Sequence, residues 1–187
     1  MEDSTKVLYR EIEERYVKVI WTHKIQLCQA SIHIKNNKCH NTILAILSVF
    51  VSAAAIINVL KWLPENIIVP VLATLSLALT FFTVLYKAEN LVKAATDNER
   101  FAATMHDLRN RYAGLLTDIK AGLLNDQQIV EQRRTLEHEE NLIYSGIVPE
   151  TTADAVKAAE KALKTNQDST TTDGEISLLV SKNLQIE

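Results

Sequence analysis

Glycine and proline are scarce in this chain of 187 residues, at four and three respectively. A β-rich fold needs a turn signal about every 8–12 residues, so this scarcity excludes that class and leaves an all-α fold. Cysteine is scarcer still. Cys28 and Cys39 are too few and too close for a disulfide framework, and are expected as reduced thiols in a cytoplasmic setting. Twenty basic against 23 acidic side chains leave a formal charge of -3, which gives no reason to propose nucleic acid as a partner. Also absent are a glycine-rich phosphate loop, a nucleophile elbow and a helical His-Glu zinc motif. No catalytic residue, cofactor or metal site is therefore expected, and the chain does not read as an enzyme.

Charge is missing altogether from two places, residues 42–60 and 67–86. Each run matches the roughly 20 residues that a helix needs to cross a hydrocarbon core of about 30 Å. The first carries eleven Ile, Leu, Val or Phe residues and the second twelve. Each favours insertion by about 0.3–0.6 kcal/mol, against about 2.5–3.5 for a charged residue, and neither run has one. The competing expectation is a soluble bundle with two all-apolar central helices, which so short a chain could hardly surround. The six-residue link Lys-Trp-Leu-Pro-Glu-Asn makes the two spans antiparallel neighbours, so residues 42–86 are expected to form a transmembrane hairpin. No secretory leader is expected, because a long polar stretch precedes the first apolar run.

Residues 1–41 carry a helical pattern. Tyr9, Ile12, Tyr16, Ile20, His23, Leu27, Ala30 and Ile34 recur at steps of three or four, while Glu11, Glu13, Glu14, Lys18 and Lys24 fall off that stripe. His23 lies on the apolar stripe and is expected as a hydrogen-bonded core histidine rather than a ligand. Cys28, His33, Cys39 and His40 match no Cys/His zinc spacing. Lys24, Lys35 and Lys38 precede the hairpin and Lys87, Lys93 and Arg100 follow it, whereas the link has Lys61 offset by Glu65. This asymmetry places both termini on the cytoplasmic side. Trp62 and Tyr86 suit the headgroup layers, Pro64 suits the first position of the second helix, and Pro70 should kink it.

Beyond the hairpin, Leu91, Ala94, Asn98, Phe101, Met105, Leu108, Tyr112, Leu115 and Ile119 alternate at steps of 3 and 4. Such a heptad seam argues coiled-coil-like packing in residues 87–144, and Asn98 could fix its register or oligomer state. Tyr9 and Ile119 lie equally far from the two spans, so pairing between the two arms of one chain competes with pairing between subunits. Asn125 with Gln128 three residues on signals a new helix to about Tyr144. In residues 145–187, Thr151 with Asp154 opens a short helix to about Leu163, followed by a polar tail expected to be disordered, with a docking segment at 176–180. Glu137, His138, Glu139 and Glu140 are consecutive and point around a helix, as a solvated face would, and Arg109, Arg111, Arg133 and Arg134 read as surface pairing.

Polar side chains within the apolar runs also follow helical spacing. Ser76, Thr80, Thr83 and Lys87 share one face of the second, and Ser48 and Ser52 one face of the first. Tight helix packing accounts for such residues, since a hydroxyl can bond its own backbone four residues earlier. If the seam from Leu91 gathers subunits about an axis, Ser76, Thr80, Thr83 and Lys87 would instead face a pore.

The stretches Trp-Thr-His-Lys-Ile-Gln-Leu-Cys-Gln-Ala, from Trp21, and Arg-Phe-Ala-Ala-Thr-Met-His-Asp-Leu-Arg-Asn-Arg-Tyr, from Arg100, flank the paired spans. In that layout the chain resembles the SLATT domains, two-helix membrane proteins of bacteria encoded beside nucleotide-second-messenger synthases and nucleotide sensors. The resemblance implies an effector of antiviral conflict systems that oligomerises and opens pores in the inner membrane on an upstream nucleotide signal. Its partners would be the lipid bilayer, further copies of itself and an upstream sensor or synthase. The alternative is a membrane-anchored coiled-coil scaffold without conductance.

Overall fold

The computed structural model describes residues 3–164 of the chain. Every regular element in it is an α-helix: α1 (Asp3–Val59), α2 (Glu65–Glu89), α3 (Leu91–Lys120), α4 (Asp126–Ser145) and α5 (Ala153–Lys164). The docking segment anticipated at 176–180 lies outside the described residues.

Local chemistry explains where each helix stops. No glycine or proline interrupts α1 over its 57 residues, so the amphipathic arm and the first apolar run form one helix where two segments were anticipated. It ends at Lys61, which takes the left-handed conformation (φ 53°) while Trp62 N–H donates to Ile57 O and Lys61 N–H to Asn58 O. These crossed bonds satisfy the last carbonyls as in a Schellman motif. Gly122 closes α3 in the same way, at φ 68°, with Leu123 N–H donating to Asp118 O. Between α2 and α3 a single residue, Asn90, turns left-handed (φ 40°). Its side-chain oxygen accepts from Lys93 N–H and its carbonyl from Ala94 N–H, so it both ends one helix and starts the next.

Helix starts follow the same logic. Asn125 and Gln128 exchange side-chain and backbone hydrogen bonds of 2.9 and 3.0 Å, the capping box that their spacing anticipates. Pro64 precedes α2 as its N-cap rather than occupying its first position, and α2 continues through Pro70. At α5 the capping side chain is Thr152, one residue later than expected: its hydroxyl accepts from Ala155 N–H at 3.3 Å.

The chain divides into two compact units, one of Met1–Ser31 with Thr96–Glu187 and one of Ile32–Ala95. The first has a conventional core. Tyr9, Ile12, Tyr16, Val19 and Ile20 of α1 pack on Phe101, Met105, Leu108, Tyr112, Leu115 and Ile119 of α3, with Ile129 and Leu136 of α4 and Leu163 of α5. Each such side chain stabilises by about 1.5–3 kcal/mol on leaving water. The second unit is apolar on its outside: Phe50, Ile56, Leu77, Phe81 and Val84 are all more than half exposed. Within it His40 stacks on Tyr86 with ring centroids 3.8 Å apart, so α2 returns to the level of His40.

Candidate functional site

In the apolar unit, length and composition make both long helices able to cross a membrane. Only 6% of the most apolar window of each is buried within the protein. A core helix of a soluble protein would bury most of that surface, so the exposure calls for a non-aqueous surrounding. Hydroxyls interrupt this surface without disrupting it. Thr80 donates to Ser76 O at 2.9 Å and Thr83 to Leu79 O at 2.7 Å, and Ser48 and Ser52 bond the carbonyls four residues before them. Ser76 is half-buried, Thr80, Thr83 and Lys87 are exposed, and Leu91 is half-buried. The hydroxyl protons of Ser48, Ser52, Thr80 and Thr83 thus have partners inside their own helices, and each oxygen keeps capacity to accept from water or a neighbour.

The charged unit places the rest of the seam. Asn98, Phe101, Met105, Leu108, Tyr112, Leu115 and Ile119 are buried within a single chain, against α1 and α4. Asn98, 1% exposed, belongs to a polar network. Its amide donates to Gln26 Oε1 at 2.6 Å and to Glu150 O, while Gln26 Nε2 donates to Pro149 O and Gln29 Oε1 accepts from both the N–H and the hydroxyl of Thr152. Residues 149–152 form a strap tied to α1 and α3 by side-chain amides. Sequence periodicity did not reveal it, because Gln26 and Gln29 fall off the apolar stripe and their partners lie far along the chain.

A second network corrects the solvated-face reading at Glu140 and Glu137, while His138 is exposed as that reading has it. Glu140 is buried and accepts from Tyr112 Oη at 2.9 Å and Arg15 Nη1 at 3.3 Å; Glu137 meets Arg15 Nε at 3.1 Å and Arg133 Nε at 3.6 Å. Arg133 also pairs with Glu11, and Arg111 with Glu139. Burial first, then the bond to Glu140, pushes the Tyr112 hydroxyl well above the usual phenol range. The arrangement joins α1, α3 and α4 by charge-assisted bonds and leaves Tyr112 a structural donor.

His23 is half-buried and faces His106, with ring centroids 5.5 Å apart. Burial, then the charges of Arg109, His106 and Lys24, push its pKa down from 6.5 to about 4. The unfolded chain therefore binds a proton between those values that the folded one refuses, and stability should fall as pH drops from about 6.5 towards 4. Urea midpoints in micelles at pH 7 and pH 5 check this: His23→Gln should flatten the decline, and equal slopes for both proteins would refute it.

A family model described as SMODS and SLOG-associating 2TM effector domain family 4 matches residues 8–175. Comparison with curated proteins and with solved structures gives no match.

Proposed function

This chain belongs to the SLATT family 4 of two-transmembrane effector domains that associate with SMODS and SLOG nucleotide-signalling systems, and from that premise we propose that it permeabilises a membrane on an upstream signal. Residues 42–60 and 67–86 are the spans of a hairpin in a bacterial inner membrane, with both termini cytoplasmic. Further copies assemble around it, and Ser76, Thr80, Thr83 and Lys87 line the opening, so that an antiviral signal becomes an ionic leak. The observation that carries this reading is the exposure of the apolar unit, with hydroxyls on an otherwise hydrocarbon surface.

Ser76→Leu with Thr80→Leu should abolish currents across planar bilayers while leaving cross-linked oligomers intact. Unchanged currents would sink the pore. A second reading, a membrane-anchored scaffold without conductance, is favoured by two specific observations: Thr80 and Thr83 already bond their own helix, and the seam from Asn98 to Ile119 is buried within one chain. Expression in a bacterium separates the two, since a pore depolarises the cell under its trigger and a scaffold does not.

A further inference from the structure

Within the charged unit, α5 carries the chain towards the N-terminal end of α1. Its start is tied to Gln29 through Thr152, and its last turn brings Leu163 to Ile20 and His23, so it runs antiparallel to α1. Residues 165–175 contain no apolar side chain; Ile176, Leu178, Leu179 and Val180 follow them. On the stretch of α1 ahead lies a hollow of about 770 Å³, lined by Ser4, Lys6, Val7, Arg10, Glu11 and Glu14. Ser4, Val7, Glu11 and Glu14 recur at steps of 3, 4 and 3, on the side of α1 opposite its core residues Tyr9, Ile12 and Tyr16. α4 borders this face through Asp126 on Ser4 and Arg133 on Glu11. Val7, 67% exposed, is the apolar floor, which the hydrocarbon stems of Lys6 and Arg10 extend.

We infer that this face of α1 is the docking surface for the chain's own segment 176–180. Reach permits it: the chain from Lys164 to Ile176 extends up to about 40 Å, and α1 rises only about 20 Å between Ile20 and Lys6. Charge sets the direction. Lys6 and Arg10 lie towards the N-terminal end of the face and Glu14 at the other end, all three exposed. The segment is preceded by Asp173 and Glu175 and followed by Lys182. Lying parallel to α1, it sets its acids against Lys6 and Arg10 and its lysine against Glu14, whereas the antiparallel direction would oppose like charges. The surplus reach lets the chain pass the face and turn back, and Asp173-Gly174 is a turn-favouring pair at that point. A separate chain is a poorer occupant. A stable contact between chains takes roughly 1,000 Å² or more, which one exposed valine does little to supply, while a tethered segment arrives at an effective concentration in the millimolar range. The contact does not depend on whether the apolar unit conducts ions.

The test uses the full chain in phosphatidylcholine nanodiscs, with Cys28→Ser and Cys39→Ser removing the native thiols. Paired cysteines are then introduced, oxidised mildly and followed by mobility on non-reducing gels. Val7→Cys with Leu179→Cys should close an internal disulfide about tenfold or more faster than Leu142→Cys with Leu179→Cys, Leu142 being exposed near the other end of α4. Lys6→Cys should link to Glu175→Cys, and Glu14→Cys to Lys182→Cys, in preference to the exchanged pairs. Adding Leu179→Asp to the Lys6→Cys and Glu175→Cys pair should slow closure about tenfold through lost apolar burial, and should leave the urea midpoint of the α1, α3 and α4 core in place. Equal closure at Val7 and Leu142, closure indifferent to Leu179→Asp, or preference for the exchanged pairs would overturn the proposal. Links formed only between chains would overturn it as well, and would assign the face to a second copy.

Discussion

Leu77→Arg combined with Phe81→Arg should remove the chain from the membrane fraction. Both side chains lie on the outer surface of α2, at 72% and 58% exposure, and Leu77 is central in Glu65–Glu89. Were this surface in water, two exposed arginines would change stability by about 0.5 kcal/mol or less each. In hydrocarbon each arginine costs about 2.5–3.5 kcal/mol and an apolar contribution is lost as well, so the pair opposes insertion by about 5–7 kcal/mol. Carbonate extraction followed by flotation measures the outcome. Retention of the double variant in the lipid layer would show that α2 does not lie across the bilayer.

The next largest effect concerns Tyr112. Its ring is fully buried among α1, α3 and α4, and its hydroxyl donates to the buried Glu140. Tyr112→Ala should cost about 3–5 kcal/mol, from lost burial and the cavity left behind. Tyr112→Phe keeps the ring and removes one bond to a charged acceptor, costing about 1.5–3 kcal/mol, with Arg15 still beside Glu140. Trp21, which packs against this core, reports unfolding in urea once Trp62 is replaced by Phe. Equal losses for the two substitutions would deny the hydroxyl its role. The same titration bears on the seam: residues buried within one chain give a midpoint independent of protein concentration, whereas a between-subunit coiled coil would raise it with concentration.

Both helices of the apolar unit were legible in the sequence, because transfer energy adds along a run and needs no knowledge of partners. The stripe from Tyr9 to Ile20 and the seam from Phe101 to Ile119 were legible as periodicities, since a buried helix face repeats. What covers those faces was not. The sequence left open whether the seam meets the same chain or another, and its residues lie against α1 and α4 of one chain. Glu140 was misread for a related reason: a carboxylate in a charged run looks solvated until Arg15, on another helix, is placed beside it. Gln26, Gln29 and Asn98 carried the one available hint, as polar residues at or beside inward positions. Their partners in the strap include backbone groups of Pro149, Glu150 and Thr152, which no side-chain pattern announces.

The strap also settles how α5 is held. A helix of 12 residues is marginal in isolation, and this one buries chiefly Ala155, Ala159 and Leu163. It behaves as an intramolecular ligand on a short tether, whose effective concentration can reach the millimolar range and restores the contact after each release. Its opening is then a local equilibrium, separable from unfolding of the α1, α3 and α4 core, and amide exchange in α5 should outpace exchange in α3. Because Leu163 lines a cavity of about 230 Å³ with His23 of α1 and His106 of α3, each release of α5 would open that space to solvent.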